Sequence, residues 1–564
     1  MIDPKNFINM VAASMEPYLW IVVLGGITGF AYAFGIGAND VANAFASTVA
    51  SKSLTLAQAV LVASIFEFGG AFFLGAQVTG TIRSKIFDTK LYVDQPDIVL
   101  LGMFTSLVTS TLMLMVATYN ALPVSTTHTI VGAIMGFSIA AKGFSSINSD
   151  VASQIFISWI LSPVVSGALS FIFFGSIRYF ILSSEDSYNR AYYAFPLILT
   201  IFVGIDLFYI LYKGTSNLEF NDQLSLSWVL PASFGVGAFC GAIWLVVLGP
   251  IARRRVGEKF ARDAAEAEYN AAVIKEAEDE ANDKKNKEET VAAAAGSDED
   301  GDNDLEMCSD DHLPAKNNHD ANTVMEDSEH EPSDPPQDIP DEPSKMGFKE
   351  KMGSMHASFA ARTYGQDLHE QSMRESKVTE EMWEHAKHFD APSEQMFTYV
   401  QVFTACLNSF AHGANDISNA IAPISAIFLI YETGELNSKA PVQKWVLAYG
   451  GVGLILGLLI YGYKVMKSLG YKLTALSPSR GASAELAASL FVVTASYMEI
   501  PVSSTQCIVG AIAGVGLTSG FKSVGWLFFF KVCMGWVLIF FTAVAVSMGL
   551  FCFLAFSPSL TQTT

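Results

Sequence analysis

The chain has 564 residues, of which 51% are hydrophobic and only 16% are charged, and its formal net charge is −21. Apolar runs of about 18 residues or more recur on both sides of a polar central segment, and a run of that length crosses a bilayer as a helix. These features exclude a soluble enzyme, a nucleic-acid-binding protein and a secreted disulfide-linked domain. The six cysteines have no spacing typical of a metal site or a disulfide framework.

Twelve apolar runs predict membrane helices, seven before the polar segment and five after it. They lie at 17–37, 55–80, 97–119, 122–141, 152–182, 192–212, 227–250, 395–412, 442–463, 484–497, 502–518 and 523–553. The fourth, tenth and eleventh runs are short or interrupted by Pro and Gly, which favours re-entrant segments. We therefore predict an all-α integral membrane protein with about twelve transmembrane or re-entrant helices in two inverted repeats.

Charge divides the chain into three parts. Residues 253–390 carry 17 Lys and Arg against 36 Asp and Glu, so almost all of the net charge lies there. We predict an N-terminal membrane block (1–252), an acidic, largely disordered cytoplasmic loop (253–390) and a C-terminal membrane block (391–564). The cytoplasmic assignment comes from three consecutive arginines, 253–255, that follow the seventh run.

Two motifs recur across the loop in the same order and at nearly the same spacing. Gly-Ala-Asn-Asp-Val-Ala-Asn-Ala at 37–44 returns as Gly-Ala-Asn-Asp-Ile-Ser-Asn-Ala at 413–420. Pro-Val-Ser-Thr-Thr-His at 123–128 returns as Pro-Val-Ser-Ser-Thr-Gln at 501–506. The chain therefore contains a duplicated unit. If seven spans separate the copies, the copies face opposite ways, an arrangement typical of secondary transporters.

The first motif places carboxylate and carboxamide groups inside apolar runs, where ionisable groups are costly and mark functional sites. Its candidate cation ligands are Asn39, Asp40, Asn43, Asn415, Asp416 and Asn419. A hard cation such as Na⁺ needs oxygen ligands of this kind, together with carbonyls freed by a helix break. The alternative is a structural helix break capped by Asn or Asp, and the duplication favours ion binding.

The second motif predicts helix starts, with proline in the first turn and hydroxyl groups beside uncapped N–H groups. Such a terminus attracts anions. Its candidate anion ligands are Ser125, Thr126, Thr127, Ser503, Ser504 and Thr505. Six hydroxyls would surround one tetrahedral oxyanion. The alternative is ordinary N-capping.

Charge also predicts coupling between the two kinds of ligand. The four motif segments contain no Lys or Arg, so a bound oxyanion meets two aspartates and only partial charges from helix termini. Cations must offset the remaining charge, which makes anion and cation binding mutually dependent. Glu67 and Glu485 lie in or beside apolar runs and either line a cation or proton path or are paired structurally.

The duplicated motifs resemble those of the inorganic phosphate transporter (PiT) family, over residues 17–250 and 391–553. The resemblance implies phosphate import by alternating access, driven by Na⁺ or in some members by H⁺, with no enzymatic activity and no organic cofactor. It implies that the Asn and Asp residues above bind cations, that the six hydroxyls bind phosphate and that Glu67 and Glu485 are linked to transport. Gln506 stands where the family usually has histidine.

Inorganic phosphate, Na⁺ or H⁺ and the lipid bilayer are thus the expected partners. A homodimer is a candidate assembly, the plasma membrane is the expected location and no nucleic acid is expected to bind. Two alternatives stay open at this point: an H⁺-coupled phosphate or sulfate permease, and a membrane phosphate sensor. An ATP-driven pump is excluded because the chain has no P-loop motif.

The composition of the loop generates one prediction. We expect deletion of residues 296–345 to leave phosphate uptake per folded molecule within a few-fold of the full chain, because this segment has too few apolar residues to form a packed core. Uptake into proteoliposomes, normalised to reconstituted protein, measures this. Loss of uptake by a variant that still reaches the membrane would contradict the prediction.

Overall fold

A computed structural model describes residues 15–213, 225–295, 382–435 and 440–556. Within these ranges the chain is helical and forms no strand longer than an isolated bridge. The predicted all-α class is therefore confirmed for the described residues. The predicted disordered segment at 296–345 lies outside them.

The helices before the polar segment begin near residue 19. In chain order they are α1 Leu19–Ala50, α2 Leu56–Leu74, α3 Ala76–Ser84, α4 Pro96–Tyr119, α5 Thr126–Lys142, α6 Ser149–Ile177, α7 Ser187–Lys213, α8 Leu226–Ile243 and α9 Gly249–Ala295. Side-chain caps set several of these boundaries. Thr55, for example, starts α2 with a capping box in which its hydroxyl accepts from the backbone N–H of Gln58.

The helices after the polar segment follow the same order of lengths. They are α10 Ala391–Thr433, α11 Lys444–Tyr461, α12 Tyr463–Lys472, α13 Pro478–Tyr497, α14 Ser504–Leu517 and α15 Trp526–Phe556. Asp390 starts α10 by accepting a hydrogen bond from the backbone N–H of Ser393 at 3.1 Å. Helices α10 to α15 correspond in order to α1 to α6, as the sequence duplication predicts.

Among the described residues, nine helices are long and apolar enough to cross a membrane. These candidate spans start in α1, α2, α4, α6, α7, α8, α10, α11 and α15, and some of them continue into the next helical segment. Each of the twelve apolar runs coincides with a helix, and the three runs outside this set are those predicted to be short or interrupted.

The chain divides into two compact units, residues 1–258 together with 361–564, and residues 259–360. Both membrane blocks thus belong to one unit. Of residues 259–360 the structure describes 259–295, which continue α9 as one helix.

The outer surface of the helical unit is apolar. On α15, for example, Phe530, Phe541 and Phe553 are 60%, 61% and 64% exposed. In water such a surface would drive association, whereas lipid tails solvate it. Helix α10 is the opposite case, because 89% of its most apolar window is buried inside the protein. The duplicated motifs of α1 and α10 thus lie at the protein centre.

The two copies are interlocked through glycines that touch backbone of the other copy. A Cβ atom on Gly37 of α1 would lie 1.8 Å from the carbonyl oxygen of Leu454 in α11. A Cβ atom on Gly413 of α10 would lie 2.3 Å from the carbonyl oxygen of Glu67 in α2. The first glycine of each repeated motif therefore permits a helix crossing that no side chain would allow.

These crossings generate a prediction. We expect Gly413→Ala to destabilise the protein by about 1–3 kcal/mol or more, because backbone must move to admit the methyl group. Gly26→Ala in α1 is the matched control, because a Cβ there would meet nothing within 4 Å. Thermal unfolding of the two variants in detergent measures the difference. A Gly413→Ala variant that unfolds at the same temperature as the Gly26→Ala control would refute the crossing argument.

Candidate functional site

Two helix starts carry the predicted anion ligands. Ser125 caps α5 by accepting from the backbone N–H of His128 at 3.2 Å, and Ser503 caps α14 by accepting from that of Gln506 at 3.3 Å. The predicted helix starts are therefore present. The prolines of the motif are not in the first turn as predicted, but lie in the extended segment two residues before each cap. Proline disfavours helical backbone in the residue before it, so it separates the short helix from the preceding one.

The two helix starts meet across the duplication. The hydroxyl of Thr127 donates to the carbonyl oxygen of Val502 at 2.9 Å, and the hydroxyl of Thr505 donates to that of Val124 at 3.3 Å. Each bond is the counterpart of the other in the repeated sequence. The N-termini of α5 and α14 therefore point into one shared region.

The aspartates of the first motif face these hydroxyls. Asp40 Oδ2 accepts from Thr126 Oγ1 at 2.9 Å. Asp40 Oδ1 lies 3.3 Å from Thr505 Oγ1 and is an alternative acceptor for the hydrogen that Thr505 donates to Val124. Asp416 Oδ2 accepts from Ser504 Oγ. The hydroxyl and carboxylate motifs, which are far apart in sequence, are thus brought together as one cluster.

Asn43 and Asn419 make reciprocal contacts between the copies. The amide nitrogen of Asn43 donates to Thr505 Oγ1 at 3.0 Å, and that of Asn419 donates to Thr126 Oγ1 at 3.1 Å. The carboxamide oxygen of Asn43 is buried and accepts no hydrogen bond. A buried oxygen without a donor is costly unless it meets a cation.

Asn39 and Asn415 support the turns that precede the hydroxyls. The Asn39 amide donates to the Leu122 carbonyl at 3.0 Å, and its oxygen accepts from the Val124 N–H at 3.1 Å. Asn415 donates to the Val502 carbonyl at 3.0 Å. These bonds link the first motif of each copy to the second motif of the same copy.

The first motif does not break its helix. α1 and α10 continue through it without interruption, so the motif carbonyls are not freed as the sequence suggested, with one exception. The carbonyl of Asn419 has lost its intrahelical donor, because the residue four positions later is Pro423, which has no N–H. The Ala residues of the motif favour helix, the Asn side chains bond outside the helix backbone, and the close glycine crossings bury the segment without unwinding it. The breaks lie instead at the turns before the hydroxyls, where Ala121 and Glu499 both have positive φ, at 53° and 60°.

Glu67 reaches the cluster through a residue that the sequence analysis missed, His412. His412 Nδ1 lies 2.9 Å from Glu67 Oε2, and His412 Nε2 lies 2.8 Å from Asp416 Oδ2. Ser409 also donates to Glu67, at 3.2 Å. The available signal was that His412 directly precedes the second motif, whereas Ile36 precedes the first.

Glu485 lies in a separate cage of donors. Ser47, Thr48 and Thr404 donate to its carboxylate at 2.6, 2.8 and 2.5 Å, and Gln401 donates at 3.2 Å. Ser47 follows Asn43 by four residues on α1, so it shares a helix face with the candidate cation ligands. That spacing was a signal for this extension of the site, which the sequence analysis did not use.

All fourteen predicted site residues are buried, with no more than 6% of any one exposed. Ligand atoms of Asp40, His412 and Asp416 lie within 4.8 Å of one another. The cluster thus combines three groups that can hold a cation with hydroxyls and helix N-termini that can hold an anion. It is closed off from bulk solvent.

Comparison with known proteins identifies the family of this chain. The sequence model of the phosphate transporter family matches residues 36–547. The chain belongs to the phosphate transporter family. It is therefore related to transporters and not to enzymes, and it is an integral membrane protein.

Individual relatives agree along nearly the whole chain. The phosphate-repressible phosphate permease pho-4 of Neurospora crassa is 33% identical over 576 residues, covering 93% of this chain and 95% of the relative. The sodium-dependent phosphate transporter 1 of Mus musculus is 30% identical over 651 residues, covering 93% and 94%. A solved structure of a sodium-dependent phosphate transporter has the same fold, with a TM-score of 0.65 at 24% identity over 95% of this chain and 99% of that one.

Proposed function

We propose that this family member imports inorganic phosphate by Na⁺ symport through alternating access. The observation that carries the proposal is the buried meeting of two hydroxyl-bearing helix starts with two Asn-Asp motifs, each copy contacting the other. The family supplies phosphate as the substrate class, and relatives named as sodium-dependent phosphate transporters support Na⁺ as the coupling ion.

Phosphate is held by hydroxyl donors at the N-termini of α5 and α14. Those hydroxyls belong to Ser125, Thr126, Thr127, Ser503, Ser504 and Thr505. Each helix terminus adds about half a positive charge. Several of the hydroxyls now donate to carboxylates or carbonyls, so each would rotate its hydrogen towards the anion on binding.

Cations are held on the facing side by the carboxylates and carboxamides. The ligand set is Asp40, Asn43, Asp416 and Asn419, with Asn39 and Asn415 shaping the turns beside it. Two ionised carboxylates within 4.8 Å repel by about 3 kcal/mol at an effective dielectric constant of about 20, and His412, 2.8 Å from Asp416, offsets part of this repulsion when it is protonated. Phosphate adds further negative charge, and Na⁺ between the carboxylates and phosphate removes the conflict.

Alternating access explains how a buried site serves two compartments. The two copies act as inverted repeats around the site, and their relative movement exposes it to one side at a time. Glu67 and Glu485 are linked to transport because each connects a helix of one copy to the motif helix of the other. The location is the plasma membrane, with residues 253–390 on the cytoplasmic side as an acidic loop.

Uptake by the purified full chain in proteoliposomes tests the proposal. We expect radiolabelled phosphate to accumulate when Na⁺ is higher outside than inside, and not when Na⁺ is equal. Accumulation driven only by a pH gradient would replace Na⁺ with H⁺, and stronger accumulation of sulfate would replace the substrate. Phosphate binding without accumulation under any gradient would identify a sensor instead.

The charge argument generates a prediction about the carboxylates. Asp40→Asn and Asp416→Asn each remove one negative charge with little change of shape, so both should lower the uptake rate strongly and weaken its dependence on Na⁺. Uptake measured against Na⁺ concentration at saturating phosphate gives the comparison. Asp186→Asn is the control, because this exposed aspartate lies outside the buried cluster. A parental Na⁺ response in both site variants would rule out these residues as ligands.

The hydroxyls generate a second prediction. Ser125→Ala or Ser503→Ala removes a donor to a charged acceptor, which costs roughly 1.5–3 kcal/mol, so phosphate affinity should fall about 10- to 100-fold. Binding linkage is reciprocal, so phosphate and Na⁺ should tighten each other by the same factor in the parent. Calorimetric titration of each ligand with and without the other measures this. Equal phosphate affinity with and without Na⁺ would refute the coupling.

A further inference from the structure

The residues that follow the two hydroxyl segments face each other at the junction of the copies. His128 and Gln506 are counterparts in the duplication, and Gln506 Nε2 lies 3.4 Å from His128 Nε2. Both side chains are buried, at 3% and 4% exposed. The imidazole stacks on Trp159, with ring centroids 3.6 Å apart, so its orientation is held by packing.

The other nitrogen of the same imidazole contacts a predicted phosphate ligand. His128 Nδ1 lies 2.5 Å from Ser125 Oγ, and the backbone N–H of His128 donates to the same oxygen at 3.2 Å. A serine hydroxyl has one hydrogen to donate and two lone pairs to accept. The backbone N–H occupies one lone pair, so the imidazole decides what Ser125 still offers to a ligand.

A neutral imidazole has two tautomers with opposite consequences here. With the hydrogen on Nδ1, the imidazole donates to Ser125, both lone pairs are occupied and the serine hydrogen remains for a ligand. With the hydrogen on Nε2, Ser125 must donate to Nδ1, and it presents a lone pair to any ligand. An anion needs the first arrangement, because a lone pair would repel it.

Gln506 discriminates between the tautomers. Its amide group faces His128 Nε2 with nitrogen, and its oxygen has no hydrogen-bond partner. With its nitrogen towards the imidazole, the amide N–H requires an acceptor, so the contact favours the tautomer with Nε2 bare and the hydrogen on Nδ1. With the amide turned round, its oxygen would accept from Nε2–H and hold the opposite tautomer. The second copy has no equivalent device, because the residue following its hydroxyls is glutamine.

We propose that Gln506 is a positioning residue that fixes the tautomer of His128 and thereby makes Ser125 a hydrogen-bond donor to phosphate. This inference rests on the proposed phosphate site. The Gln506 amide acts only through the imidazole and does not touch the anion. The difference between the two copies at this position, His128 against Gln506, thus has a chemical role in the first copy.

A double-mutant cycle on the full chain in detergent tests the proposal, with inorganic phosphate titrated at saturating Na⁺. Gln506→Met keeps the size of the side chain and removes the amide, and it should weaken phosphate binding by up to about tenfold. In a Ser125→Ala background the same change should have almost no further effect. In a Ser503→Ala background it should have its full effect, because Ser503 does not contact the imidazole.

Two further variants separate positioning from packing. Gln506→Leu also removes the amide N–H and should weaken phosphate binding as Gln506→Met does. Cys507→Ala, a buried change at the next position, should leave it unchanged. If Gln506→Met does not yield folded protein, the cycle is run with Gln506→Leu.

The outcomes distinguish failure of the Gln506 positioning role from failure of the proposed phosphate site. If Ser125→Ala leaves phosphate affinity unchanged, the phosphate site itself is wrongly placed. If Ser125→Ala weakens binding but Gln506→Met has no effect, tightens binding, or has the same effect in both serine backgrounds, the positioning role is overturned and the phosphate site stands.

Discussion

The structure depends on one constraint: polar groups at the centre of a membrane protein must find their partners inside the protein, because neither lipid nor bulk water reaches them. In the candidate site, polar side chains of each copy find hydrogen-bond partners in the other copy. Asn43 contacts hydroxyls that follow α13, and Asn419 contacts hydroxyls that follow α4. Without the other copy, these polar side chains would be buried without their hydrogen-bond partners. The fold therefore needs both copies.

Close helix crossing makes that exchange geometrically feasible. The motif glycines Gly37 and Gly413 bring α1 onto α11 and α10 onto α2, and the residues next to them inherit their positions from those contacts. The two copies have equivalent backbone positions at these crossings but different side chains. Glu67 contacts Gly413 where Leu454 contacts Gly37, and His412 precedes one glycine where Ile36 precedes the other. The copies therefore place Asp40 and Asp416 in different electrostatic surroundings.

Much of the fold and of the central cluster could be predicted from the sequence. Polar residues inside apolar runs are either structural caps or ligands, and their recurrence at matched positions in both copies favoured ligands. The helix starts followed from the Pro-Val-Ser pattern, but the predicted place of proline in the first turn was wrong, because Ser125 and Ser503 are the caps. His412 could not be found this way, because its partner Glu67 is 345 residues away and a single buried histidine has many roles. The unbroken course of α1 and α10 was also missed, because its cause is a crossing partner that local sequence does not reveal.

The internal hydrogen bonds of the cluster have a consequence for turnover. Thr126, Thr127 and Thr505 already have acceptors within the protein. Phosphate would therefore replace existing hydrogen bonds and would not meet unpaired donors. The net gain per hydroxyl is then a difference between two bonds of similar strength. Such a site would bind phosphate less tightly and release it more readily than a site with unpaired donors. At the proposed site, release of phosphate would let these hydroxyls return to their acceptors within the protein without leaving a buried donor unpaired.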